Sequence, residues 1–107
     1  MLAELHFTAV GTGEEQKELI AKTVDIVEKS DLDYQVTSMG TIVEGEWDEI
    51  MLLLKKCHDA LLKEDGVNRI ISNVRIDDRM GESNRLKNGV LEVEYALGRD
   101  LKTGGLT

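Results

Sequence analysis

Two hydroxyls, a thioether and a carboxylate lie close together between positions 37 and 44, at Thr37, Met39, Thr41 and Glu44. The core face of a sheet favours valine, isoleucine and leucine, so these polar and polarisable groups are unusual there. Short β-type runs flank Gly40 on both sides, which predicts two adjacent strands. The segment therefore predicts the floor of a small polar pocket, and the alternative interpretation is an exposed hairpin.

The two histidines and the single cysteine form no catalytic or metal motif. His58 lies on the apolar stripe of a predicted helix, where a semi-buried ring bonded to a backbone group is favoured over a ligand-contacting or proton-shuttling imidazole. Cys57 points about 100° away from it around the helix, so the two cannot form a nucleophile–base pair. We expect Cys57 to be a small buried hydrophobe. His6 belongs to another element, and no metal site is predicted.

A second polar cluster runs from Arg75 to Arg79. Alternation places Arg75 and Asp77 on the same strand face, beside Glu44. A surface ion-pair patch and a charged rim that orients a polar ligand or a subunit contact are equally open interpretations. Glu44 precedes a helix, where it can bind a protonated heterocycle or amine and also stabilise the helix start.

Composition predicts one small globular domain. The chain has 107 residues, 41% of them hydrophobic, and a formal net charge of −8. Such a surface repels phosphate backbones, which excludes nucleic acid as an expected partner. One cysteine cannot form an internal disulfide, and no apolar run approaches the ~20 residues of a membrane span. With no signal-peptide pattern at the N-terminus, we predict a cytoplasmic protein without a membrane partner.

Hydrophobic periodicity predicts the order β-α-β-β-α-β followed by a terminal helix. The predicted strands are 2–10, 34–39, 41–44 and 67–76. The helices end near Lys29, Lys63 and Gly98, with capping residues predicted at Thr12, Glu15 and Ser83. This is the ferredoxin-like α+β plan in a single domain over 1–98, with a disordered tail over 99–107.

In the ferredoxin-like plan both principal helices cover one sheet face and leave the other open. Strand parity assigns eight mostly polar residues to the open face. They are Glu4, His6, Thr8, Gln35, Thr37, Met39, Asn73 and Arg75. Such a face is suited to a partner sheet, a ligand, or both.

The chain resembles the thiamine-binding protein family over roughly residues 2–97. The resemblance is carried by Met39-Gly40-Thr41 followed by Glu44, by His58, and by the strand that contains Arg69 and residues 75–79. It implies a homo-oligomer, commonly a tetramer built as a dimer of dimers, with sheets packed across subunit boundaries.

The resemblance also implies binding of thiamine, or of its hydroxymethylpyrimidine part, at the open sheet face. By motif, Thr37, Met39, Thr41 and Glu44 become ligand-binding residues. The resemblance implies that Met39 contacts the flat ring, that the hydroxyls of Thr37 and Thr41 form hydrogen bonds with its nitrogens, and that Glu44 accepts a hydrogen bond from the aminopyrimidine. His6 and Asn73 are added by strand parity alone.

Three hypotheses therefore stand on the sequence. The first is non-enzymatic binding of thiamine or a related pyrimidine, with no cofactor and no catalytic residue. The second is a regulatory or assembly module whose polar sheet face is chiefly a subunit contact. The third is a small enzyme that uses His6 or His58 as its acid–base residue.

Overall fold

The computed structural model describes residues 1–10, 16–81 and 84–101. It has the α+β ferredoxin-like architecture that the periodicity predicts, including the additional terminal helix. The elements, in chain order, are β1 (Leu2–Ala9), α1 (Gln16–Lys29), β2 (Asp33–Thr37), β3 (Gly40–Glu44), α2 (Trp47–Leu62), β4 (Ile70–Asp77) and α3 (Arg85–Leu97). The four strands form one antiparallel sheet in the order β2-β3-β1-β4.

The hydrophobic core lies between the sheet and the helices α1 and α2. Alternate residues of β1 face it, and Leu5 is 2% exposed. From α2 the core receives Ile50, Leu53, Cys57 and Leu61, whose spacing of three to four residues places them on one helix face. Val27 of α1 is also fully buried. These positions follow directly from the periods of 2 and 3.6 in the sequence.

The other sheet face carries the side chains that parity assigned to it, except that of Met39. In β1, Glu4 lies opposite Arg75 of β4, and His6 lies opposite Asn73. On the neighbouring pair, Gln35 of β2 lies opposite Ile42 of β3. Facing residues of adjacent strands share a sheet face, so the predicted open face is formed as expected.

The bounds of all four strands differ from the predictions. β2 ends at Thr37, and a turn at Ser38 and Met39 leads into β3, which begins at Gly40. Met39 is therefore a turn residue, 78% exposed, and not a strand residue. β1 ends one residue earlier than predicted, at Ala9.

The predicted strand over 67–76 begins later, because the chain is still turning out of α2. Gly66 has φ +80°, and Val67, which is buried, bonds its amide back to the carbonyl of Glu64 at 3.2 Å. Strand pairing starts only at Ile70. The predicted capping residues Thr12, Glu15 and Ser83 lie outside the described residues, as does the tail beyond Leu101.

α3 packs on the open face through its first turn, against β3 and β2. Glu44 accepts hydrogen bonds from the amides of Arg85, at 2.8 Å, and Leu86, at 3.2 Å. Arg85 donates to the carboxylate of Asp77 at 2.7 Å, which holds the pKa of that carboxyl below its usual range. Gly98 ends the helix with φ +72°.

No helix in the described part of the chain is long and apolar enough to cross a membrane.

Candidate ligand-binding site

The sheet has a gap beside β1, because β3 pairs with only part of that strand. β3 pairs with β1 only as far as Leu5 opposite Thr41, whereas β1 continues to Ala9 along β4. A cavity of about 70 Å³ opens beside Phe7 at this point. We call it the notch. Its lining is Leu5, His6, Phe7, Ile20, Thr23, Val27, Val36, Thr37, Ser38, Gly40 and Thr41.

Gly40 allows the hairpin to come close to β1 at the edge of the notch. A Cβ atom at this position would lie 2.8 Å from the carbonyl oxygen of Leu5, closer than side-chain carbons come to backbone. Its φ of +155° is also a conformation that favours glycine. Glycine at position 40 is therefore a packing requirement of the β2–β3 hairpin.

Thr37 holds the turn that forms one wall of the notch. Its hydroxyl donates to the carbonyl of Gly40 at 2.9 Å and accepts from the amide of Met39 at 3.2 Å. The side chain thus organises the turn, and a ligand could use only its remaining acceptor lone pair.

Three of the predicted ligand-binding residues line the notch, but they come from both sides of the sheet. Thr41 is 8% exposed and lies opposite Leu5, on the helix-covered side. His6 and Thr37 belong to the open side. The notch therefore connects the two faces, because no third strand separates them beside Phe7.

Two further predicted residues border this region without lining it. Asn73 is exposed and lies opposite His6 on β4. Met39 stands at the turn with most of its side chain in solvent. Both are accessible to a ligand that extends from the notch across the open face.

Glu44 lies at the opposite end of β3 from Gly40. Four residues of extended strand separate the two positions by roughly 13 Å. In this conformation each carboxylate oxygen accepts one amide of α3. The predicted role at a helix start is therefore present, although the helix is α3 and not the one that follows in sequence. β1 also lies between Glu44 and Asp77, since Leu2 pairs with both.

His58 and Cys57 lie away from the notch in the helix–sheet layer. The His58 ring packs edge-on against Phe7, with centroids 5.8 Å apart, and its Nε2 bonds to the Ser72 hydroxyl. The packed histidine was predicted, but its partner is a side chain and not the expected backbone group. Cys57 is fully buried, and burial raises the pKa of its thiol to about 11.

Larger surface hollows occur elsewhere. One of about 400 Å³ lies between α1 and α2 and is bordered by Ile26, Lys29, Leu53 and Lys56. Another of about 550 Å³ lies beside the first turns of α3, around Arg79 and Arg85. Neither is lined by any of the six predicted ligand-binding residues, so we take the notch as the candidate site.

The contribution of α1 to the notch could not be predicted from the residue pattern. The spacing of Ile20, Thr23 and Val27 indicates only that they lie on one face of that helix. Only the packing of α1 beside the first residues of β3 brings them to the cavity wall.

In the described residues, no group of three His, Cys, Asp or Glu side chains is arranged to hold a metal ion.

Comparison with known proteins gives a consistent result. A family model described as "Thiamine-binding protein" matches residues 3–94. A UPF0045 protein of Methanocaldococcus jannaschii is 30% identical over 87 residues, covering 81% of this chain and 85% of that protein. A UPF0045 protein of Methanothermobacter thermautotrophicus is 32% identical over 94 residues, covering 86% and 94%.

Solved structures agree on the fold. A crystal structure of a hypothetical protein from Methanocaldococcus jannaschii superposes with a TM-score of 0.77 at 28% identity, covering 86% of this chain and 93% of that one. A Thermotoga maritima protein, described as a candidate for thiamine biosynthesis or salvage, gives a TM-score of 0.71 at 21% identity and coverages of 82% and 94%. The family match extends over most of the chain, and the predicted resemblance is confirmed: the chain belongs to the thiamine-binding protein family.

Proposed function

We propose that this protein binds thiamine, or its hydroxymethylpyrimidine part, and does not convert it chemically. The family match over residues 3–94 carries the proposal. The notch supports it, because it brings the hydroxyl-bearing residues Thr37 and Thr41 together with His6 at one opening. Sites for small molecules commonly combine apolar walls with a few polar groups in this way.

The size of the notch limits how much of the ligand it encloses. Pockets that bury a drug-sized molecule measure about 300–1,000 Å³, whereas the notch measures about 70 Å³. We therefore assign the notch to the edge of the flat pyrimidine ring. The remainder of thiamine extends over the open face, past Met39, His6 and Asn73.

Electrostatics favour the binding of a cationic ligand. Thiamine carries a permanently positive thiazolium ring, and the protein has a formal net charge of −8. An acidic surface raises the local concentration of a cation and accelerates its association. Glu44 contributes to this field and keeps further lone pairs beyond those used by α3, so we retain it as a ligand-binding candidate.

Calorimetric titration with thiamine and with hydroxymethylpyrimidine tests the proposal. We expect saturable binding that weakens at least about tenfold in Thr41→Ala, which loses a buried hydroxyl, and in Glu44→Ala, which loses a half-buried carboxylate. Thr8→Ala is the matched control, since Thr8 lies on β1 outside the lining of the notch. Absence of binding heat with both compounds, from a folded protein, would rule the proposal out.

Self-association is proposed alongside ligand binding, with a tetramer built as a dimer of dimers in the cytoplasm. One observation supports it. The apolar stripe of α3 starts at Leu86, which is 5% exposed, and continues to Val93 and Leu97, which are 49% and 50% exposed. A stripe that is buried at one end and uncovered at the other is typical of a helix that lacks a partner.

The same observation favours the second hypothesis, an assembly module without a ligand. The two are separated by measuring mass and binding on one sample. Oligomers that form without any thiamine or pyrimidine binding support the assembly module. Binding that is retained when the oligomer is dissociated supports the ligand-binding protein.

A further inference from the structure

The hydrogen-bonding direction of every residue in β1 can be derived from two contacts at its ends. Met1 and Gly45 exchange both backbone hydrogen bonds, at 2.8 and 3.0 Å. Antiparallel ladders alternate between bonded and non-bonded pairs, so Ala3 and Leu5 also direct their peptide groups toward β3. At the other end, the amide of Val10 bonds to the carbonyl of Arg69 at 2.9 Å. The even-numbered residues of β1 are therefore paired with β4.

Phe7 is the next odd-numbered residue, and its peptide groups point toward the place where β3 is missing. Continuing the register of β1 and β3 would put residue 39 opposite Phe7. Met39 is instead in the turn and mostly in solvent. In the part of the chain that the structure describes, β3 thus supplies no backbone partner for the N–H and C=O of Phe7, and both face the notch.

The surroundings suit a flat ring with polar atoms along one edge. Ile20, Val27 and Val36 provide apolar contacts on the helix side of the notch. Peptide groups away from water need hydrogen-bond partners, so an apolar ligand would leave them unsatisfied. A ring that carries a donor and an acceptor on adjacent atoms can satisfy both groups of one residue at once.

We propose that the peptide N–H and C=O of Phe7 recognise the aminopyrimidine edge of the ligand. The Phe7 N–H donates to a ring nitrogen, and the exocyclic amino group beside that nitrogen donates to the Phe7 C=O. This inference rests on the proposed function and adds which atoms provide specificity. In this proposal the backbone recognises the amino group by hydrogen bonding, whereas the side chains of Thr37, Thr41 and His6 form the opening of the notch.

The chain allows a direct test because it contains one phenylalanine and one tryptophan. Protein labelled with ¹⁵N,¹³C-phenylalanine and ¹⁵N-tryptophan gives one backbone amide signal for Phe7 and one for Trp47. Trp47 begins α2 and serves as the internal control. With saturating thiamine, we expect a downfield shift of the Phe7 amide proton, a shift of its carbonyl carbon, and amide hydrogen exchange slowed at least about tenfold, with Trp47 unchanged.

Two outcomes of this titration contradict different claims. Saturable binding heat with Phe7 signals that change no more than those of Trp47 overturns the backbone recognition and leaves the proposed function standing. No heat and no spectral change with thiamine or hydroxymethylpyrimidine overturns the proposed function, and the inference falls with it.

An analogue in which a carbonyl replaces the amino group provides a second test. Its edge presents an acceptor to the Phe7 C=O and a donor to the Phe7 N–H, so both contacts become repulsive. We expect binding at least about thirtyfold weaker than that of thiamine. The same ratio of the affinity for thiamine to the affinity for the analogue is expected in Glu44→Gln and His6→Ala, because the backbone is unchanged. If either variant bound the analogue about as tightly as thiamine, the mutated side chain would be the group that recognises the amino group, and the inference would be overturned.

Discussion

His58 and His6 occupy opposite environments, although neither stands in a recognisable motif. His58 packs edge-on against Phe7 and bonds to Ser72 between α2 and the sheet. His6 is exposed on the open face, opposite Asn73. A half-buried aromatic ring with a side-chain hydrogen bond contributes to folding, whereas an exposed ring is available to a ligand.

This contrast leads to a first prediction. His58→Ala is expected to lower the free energy of unfolding by about 2 kcal/mol or more, because it removes packed ring surface and leaves Ser72 without its partner. His6→Ala is expected to change it by less than about 0.5 kcal/mol. Urea denaturation of both variants measures the difference. Equal effects would contradict the packing assigned to His58.

A second prediction concerns the thiol of Cys57. Burial raises its pKa to about 11, from a reference value of 9.0, so the reactive thiolate is scarce in the folded protein. We expect no reaction with a disulfide reagent at pH 8, and one thiol per chain once the protein is unfolded. Rapid reaction of the native protein would contradict the burial.

The same shift has a consequence for stability. Above pH 9 the unfolded chain loses the thiol proton while the folded chain retains it, so the unfolded state binds fewer protons. The free energy of unfolding is therefore expected to decrease as the pH rises from 9 to 11. The variant Cys57→Ala, measured over the same range, lacks this contribution and is the control.

At the scale of elements, two glycines illustrate opposite requirements. Gly40 stands where a Cβ would lie 2.8 Å from a backbone oxygen, whereas a Cβ at Gly89 in α3 would meet nothing within 4 Å. Gly40→Ala is expected to destabilise by about 2 kcal/mol or more and to distort the notch. Gly89→Ala is expected to stabilise by about 0.5–1 kcal/mol through helix propensity. Thermal unfolding compares them, and effects of the same sign would contradict this account.

The carboxylate of Glu44 is one of the groups that attach α3 to the sheet. Glu44 accepts hydrogen bonds from the amides of Arg85 and Leu86 at the helix start, where the helix itself supplies no acceptors. Glu44→Ala is expected to cost about 1–2 kcal/mol and to reduce helical circular dichroism. Glu4→Ala, on the same sheet face, is the control. A variant with unchanged helix content and stability would show that α3 is held by other contacts.

At the scale of the whole molecule, the uncovered part of α3 bears on assembly. Val93 and Leu97 continue the stripe that Leu86 begins, and half of each side chain is exposed. Leu97→Asp is expected to shift the sedimentation profile toward the monomer by placing a charge in the contact. Asn88→Asp adds the same charge to an exposed position of α3 and is expected to leave the profile unchanged. Equal behaviour of the two variants would exclude this face as a subunit contact.

Much of the fold could be predicted because its determinants are local. Alternation in β1 and β4 identified both sheet faces, and the 3.6-residue spacing of Ile50, Cys57 and Leu61 identified the buried side of α2. Two strand ends were predicted less accurately: β2 ends at Thr37 and not at residue 39, and β4 begins at Ile70 and not at residue 67. Strand length depends on pairing with neighbours, which is a property of the sheet and not of the segment.

The candidate site was predictable only in part. Thr37, Thr41 and His6 are brought together as linings of one cavity, whereas Glu44 lies at the far end of β3 and contacts α3. The residues between Thr41 and Glu44 are extended, so a motif that is compact in sequence spans roughly 10 Å in space. Sequence proximity on a strand does not bring side chains into one pocket.

By itself, the sequence determined the class of fold, the two faces of the sheet, the buried position of Cys57 and the resemblance to a family. These follow from residue type and spacing, which act over a few residues. Only the tertiary structure decided that the pairing of β3 with β1 stops at Leu5, two residues short of Phe7, and that α1 contributes apolar side chains to the wall of the resulting gap. Peptide groups are the same at every position. Whether a peptide group of β1 can bond to a ligand therefore depends on whether a neighbouring strand pairs with it. No residue type in the sequence indicates where that pairing stops.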